Sequence, residues 1–113
     1  MIRLMIVEME ETLIDVRAST ARTIADQKEM RRQVGRLEQL QASWAEKAEL
    51  ALSKGREDLA RAALAEKQKA AEMAEHLEGE IVLLDGALKA SEIDVSRLEI
   101  KLREARARQS AIA

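Results

Sequence analysis

From Ile6 onward, residues suited to a buried row return at alternating steps of three and four: Ile6, Met9, Leu13, Val16, Thr20, Thr23, Gln27, Met30, Val34, Leu37, Gln41, Trp44, Ala48 and Ala51. A second series repeats the rhythm: Ala60, Ala63, Lys67, Ala70, Ala74, Leu77, Ile81, Leu84, Leu88, Ser91, Val95, Leu98, Leu102 and Ala105. This is heptad spacing, which keeps one row of side chains along one edge of a helix. Between the series lies Ser53-Lys54-Gly55-Arg56-Glu57-Asp58, the one interruption, close to the middle of the chain. Gly55 suits the left-handed conformation that ends a helix, and Glu57 and Asp58 put carboxylates at the positive end of the next one. The pattern predicts helix 1 over about 2–53, a turn over about 54–57 and helix 2 over about 58–110.

Folding the chain back at that turn pairs seam residues whose numbers add to 111, and every layer of the two series then has a partner. Ile6 meets Ala105, Leu13 meets Leu98, Val16 meets Val95, and Val34 meets Leu77; Ile81 and Leu84 continue the same seam. The polar Thr20 and Ser91 share one layer, and Trp44 is expected over the aliphatic stem of Lys67. Toward the turn the layers become alanine on alanine, Ala48 with Ala63 and Ala51 with Ala60, which permits close approach of the helices. Charges beside the seam follow the same register. Lys28, Arg31, Arg32 and Arg36 are expected beside Glu75, Glu78, Glu80 and Asp85, Arg17 beside Glu92 and Glu99, and Lys47 beside Glu66.

Composition narrows the class without changing it. Charged residues make up 35% of the 113, Trp44 is the sole aromatic, proline is absent and glycines number four. Such a chain is poor in bulky core residues and rich in helix formers, the balance of long helices and coiled coils. The expected fold is therefore all-α: two long helices forming an antiparallel coiled-coil hairpin, one domain over 1–113. A hairpin of this kind offers little concave surface. The absence of cysteine excludes disulfide stapling and thiol chemistry, and a net charge of −2 supplies no general basic field for a nucleic-acid backbone. Met1–Val7 is apolar but too short, and too soon followed by Glu8, Glu10 and Glu11, to be a signal peptide or a membrane span. It reads as helix entered without a cap, as in a segment of a longer protein, and its apolar residues cover more than one face. Val82 and Leu83 likewise exceed what one seam requires, which suits a neighbouring helix or subunit.

Catalytic chemistry has no foothold. His76 is the only histidine and lies off the seam, where a solvated side chain is the simple reading. Glu72, Glu75, Glu78 and Glu80 lack histidine partners and face arginines in the register, so they describe an ion-paired face better than a metal site. No phosphate-cradling glycine loop, nucleophile elbow or zinc spacing occurs. No catalytic residue, cofactor site or metal site is expected. Basic residues at Lys28–Arg36 and at Arg97, Lys101, Arg103, Arg106 and Arg108 come without aromatic interleaving, so direct nucleic-acid binding is not expected either.

One family shares these residues in order. Arg3-Leu4-Met5-Ile6, Glu8-Met9-Glu10-Glu11-Thr12-Leu13 and Val16-Arg17 resemble bacterial phage shock protein A, whose family includes the plastid vesicle-inducing protein. So do Trp44-Ala45-Glu46-Lys47-Ala48-Glu49-Leu50-Ala51-Leu52, Glu57-Asp58-Leu59-Ala60-Arg61-Ala62-Ala63-Leu64 and Lys101 through Gln109, so that the resemblance covers essentially the whole chain. It implies a regulatory protein of the bacterial envelope stress response. Such a protein binds and inhibits the AAA+ ATPase of an enhancer-binding transcription activator, phage shock protein F. It also implies a cytoplasmic protein, peripheral on the inner membrane face, that forms homo-oligomers at full length. An amphipathic membrane-binding helix is expected before Met1 and further helices after Ala113. The alternative within the same resemblance is a building block of an ESCRT-III-like membrane-remodelling polymer without regulatory activity of its own. Residues at the turn, Trp44, Glu57, Asp58, Leu59 and Arg61, are the candidate partner contacts; Trp44 as core and Glu57, Asp58 and Arg61 as capping residues is the plainer reading of the same positions.

Overall fold

The computed structural model describes residues 1–112. It consists of α1 (Ile2–Ser53) and α2 (Glu57–Ile112), the expected all-α hairpin of two long helices. Helix 2 opens at Glu57, one residue ahead of the expected start, because the carbonyl of Arg56 already accepts the first helical bond from the Ala60 N–H at 3.0 Å. It also runs past residue 110, since nothing in Ser110-Ala111-Ile112 interrupts a helix.

The turn is a glycine-closed helix end. Gly55 has φ of 71°, the left-handed region that side chains with a Cβ avoid. With that geometry its N–H donates to the Leu52 carbonyl at 3.0 Å, and the Arg56 N–H reaches back to the Ala51 carbonyl at 2.8 Å. This pair of bonds is the Schellman closure, and it satisfies carbonyls that the end of α1 leaves without helical partners. The Ser53 hydroxyl adds a bond to the Leu50 carbonyl at 2.7 Å.

Two compact units divide the chain. One joins Met1–Asp26 to the segment from Leu84 onward; the other is Gln27–Leu83 and contains the turn. In the first, Ile6, Leu13, Leu102 and Ala105 form a buried cluster, with Ile2, Met9, Val95 and Leu98 packed against it. Arg17 bonds Glu99 at 2.8 Å and Glu10 pairs with Arg106 at 3.6 Å. One heptad back along α1 thus matches one heptad forward along α2, so the segments run antiparallel. In the second unit Val34, Ile81 and the alanines 48, 60, 63, 70 and 74 are buried. Gln27 is buried with them, and its Nε2 donates to the Ile81 carbonyl at 3.2 Å. Every buried side chain among the described residues belongs to one of the two heptad series.

Two features of the charge and aromatic register differ from expectation. Arg32 and Arg36 pair with Glu29 of their own helix, at 3.3 and 3.0 Å, rather than with carboxylates of α2. Lys47 turns its ammonium onto the Trp44 ring, 4.4 Å from the centroid, while Glu66 takes Lys69 at 3.2 Å. Partners three to seven residues away on the same helix are already aligned by the backbone, and at these positions they win over partners across the hairpin, unlike Arg17, which meets Glu99 as expected.

Candidate functional site: the apolar groove beside the turn

The alanine layers near the turn shape the surface above them. Ala48, Ala60 and Ala63 are buried and Ala51 half-buried, and because these side chains are short, larger residues flanking the seam stand proud of it. A groove of about 550 Å³ results on one side of the hairpin. From α1 it is lined by Trp44, Lys47, Leu50 and Ala51, from the turn by Lys54 and Arg56, and from α2 by Leu59, Ala62, Ala63 and Glu66. Leu50 and Leu59 are 60% and 50% exposed, so two leucines border a solvent-filled trench. A surface with little concavity was expected; the groove arises because alanine at the seam lowers its floor between taller neighbours.

The rim is electrostatically uneven. Three cations, Lys47, Lys54 and Arg56, border the groove against one carboxylate, Glu66. Arg56 also reaches Asp58 with two guanidinium nitrogens, each at 3.4 Å. That guanidinium, helped by the Leu59 backbone N–H, holds the fully exposed Asp58 carboxyl below its ordinary value of 3.8. Glu57 pairs loosely with Arg61 at 3.9 Å, both highly exposed.

The structure thus separates the five turn residues singled out by sequence. Trp44 and Leu59 line the groove. Glu57 and Asp58 sit in the first turn of α2, where their charges oppose the helix dipole, and Arg61 is engaged with Glu57 outside the groove. Leu50, Lys54, Arg56 and Ala62 were not singled out. The available signal was leucine off the seam on both sides of the turn, at positions that a two-helix hairpin has no need to make apolar. Of the seam residues, Leu13, Val34 and Ile81 are buried, and Val16, Leu77, Leu84, Val95 and Leu98 are half-buried.

Other chemistry is sparse. His76 is exposed and pairs with Glu80 of its own helix at 3.0 Å. No three acidic or histidine side chains converge to hold a metal among the described residues, and no helix there is long and apolar enough to cross a membrane.

A helical hairpin does not by itself specify a family, so family membership rests on sequence. The model of the PspA/IM30 family matches residues 1–113, the whole chain. The chain belongs to the PspA/IM30 family. Relatives of this PspA/IM30 chain include the chloroplastic membrane-associated protein VIPP1 of Arabidopsis thaliana, 32% identical over 107 residues that make up 95% of this chain and 32% of the relative. The VIPP1 of Oryza sativa subsp. japonica is 32% identical over the same share of this chain and 34% of its own length. Vipp1 of a Synechocystis strain is 29% identical, with 40% of its length matched. The chain therefore spans about a third of the length of the plant relatives it matches.

Proposed function

We propose that this PspA/IM30 hairpin is a non-catalytic regulatory module that docks through its turn groove on the AAA+ ATPase of an enhancer-binding transcription activator and slows its ATP hydrolysis. The observation that supports it is the groove itself: an apolar trench with exposed Leu50 and Leu59, beside the most family-like stretch of the chain. Covering these leucines is worth on the order of 1–2 kcal/mol each, enough to anchor a partner. The partner class, and a location on the cytoplasmic face of the inner membrane, come from the resemblance to phage shock protein A. Titrating the hairpin into the activator's AAA+ domain while following ATP hydrolysis tests the reading. Inhibition is expected, and Leu50→Ser with Leu59→Ser weakens it by roughly tenfold or more. An undiminished ATPase rate at saturating hairpin overturns it.

A second reading has its own support. The curated relatives are named as membrane-associated proteins, and Leu4, Met5, Val7 and Ile14 are exposed along the first turns of α1, as are Val82 and Leu83 on α2. On this reading the hairpin is a building block of a membrane-associated polymer. Lipid sedimentation of the hairpin beside a longer form of the protein separates the two: a pure building block shows no activity alone and acquires every activity with the additional segments.

A further inference from the structure

The groove carries information about what fills it, and this inference rests on its being a docking site. Ala51, Ala62 and Ala63 line it between the two leucines, while its rim is cationic. Of the four charged side chains lining it, Arg56 is engaged by Asp58 and Glu66 by Lys69, which leaves the ammonium groups of Lys47 and Lys54 as the uncompensated charges of the rim. The remaining carboxylates near the turn, Glu46, Glu49, Glu57 and Asp58, are not part of that lining. We propose that the occupant is an amphipathic helix of a protein partner whose apolar stripe is flanked by aspartate and glutamate.

A helix fits because the trench is bordered by two helices, and a third helix lays an i, i+3, i+4, i+7 stripe between them. Acidic flanks follow from the rim: Lys54 has no ion pair among the described residues and Lys47 lies over the Trp44 ring, so both ammonium groups are open to carboxylates of an occupant. A basic helix would meet like charge at the same rim and be rejected.

The chain reports on this site directly. Trp44 is the only aromatic residue and lines the groove, so intrinsic fluorescence follows its occupancy. Three synthetic peptides of about five helical turns serve as probes: a leucine stripe flanked by glutamate, the same stripe flanked by lysine, and a scrambled acidic sequence. The acid-flanked peptide is expected to shift Trp44 emission saturably and to bind roughly tenfold more weakly at high salt. Lys54→Glu, checked by circular dichroism for unchanged helix content, is expected to weaken that peptide and to admit the lysine-flanked one. Equal binding of the two stripe peptides, equal binding of the scramble, or no binding of the acid-flanked peptide overturns the inference. So does a Trp44 response to vesicles of phosphatidylglycerol and phosphatidylethanolamine in equal parts without a response to the peptide. The activator assay separates this inference from the proposed function. If inhibition depends on Leu59 but is indifferent to Lys54→Glu and to salt, docking stands and the acidic flank falls. If the peptide results hold and ATP hydrolysis is untouched, the acidic helix stands and its owner is not the activator.

Discussion

Gly55 is the residue on which the chain reverses. Its φ of 71° is a backbone conformation that an L side chain resists, and a Cβ built there meets nothing within 4 Å. The penalty of Gly55→Ala is therefore backbone strain alone, about 1–2 kcal/mol, to be read from chemical denaturation midpoints. Asp58, next to the turn, offers a pH test. Its folded carboxyl is held below 3.8, chiefly by Arg56, so it contributes stability that is complete above the unfolded value and is lost as pH falls through the folded one. NMR titration of the Asp58 carboxyl is expected to give a midpoint below 3.8, and Arg56→Gln is expected to move it back up. An unchanged midpoint in that variant assigns the shift to the helix end instead.

Within and between the helices, carbon outweighs charge. Leu13 is 5% exposed in the cluster with Ile6, Leu102 and Ala105, and Leu13→Ala is expected to cost about 2–5 kcal/mol in thermal or chemical unfolding. The Arg17–Glu99 pair of the same unit is short at 2.8 Å, yet its side chains are 62% and 38% exposed. Solvent screens it, and a double-mutant cycle is expected to return less than about 1 kcal/mol. This ordering explains why the heptad rhythm was legible throughout and the ion pairs only in part: Arg17 meets Glu99 as expected, whereas Arg32 and Arg36 do not reach α2. Burying a seam side chain leaves one place for it, whereas an exposed arginine such as Arg36 chooses among several carboxylates at nearly equal free energy and settles on Glu29. Gln27 is the polar exception inside the seam. It is tolerated because its amide reaches the Ile81 carbonyl at 3.2 Å, a bond that holds only with the two helices in one register there.

For the molecule as a whole, the division of labour is between seam and flank. Leu50 and Leu59 are exposed in the free hairpin, so Leu50→Ser with Leu59→Ser should cost only about 1 kcal/mol of stability, mostly helix propensity, while weakening the docking described above. A large fall in melting temperature in that variant would place these leucines in the core and take the groove away as a docking site. By itself the sequence determined that the chain is two helices joined at Gly55, and which edge of each is buried, because heptad spacing and a left-handed glycine act locally. It also carried the family, through the residues around the turn. Only the tertiary structure decided that the Lys47 ammonium lies over the Trp44 ring, and that Leu50, Lys54, Arg56 and Leu59 come together around one trench. Those residues lie on different helices and off the seam, and their meeting depends on how closely the alanine layers let the backbones approach. Periodicity encodes which face is buried; the distance between the faces is set by packing.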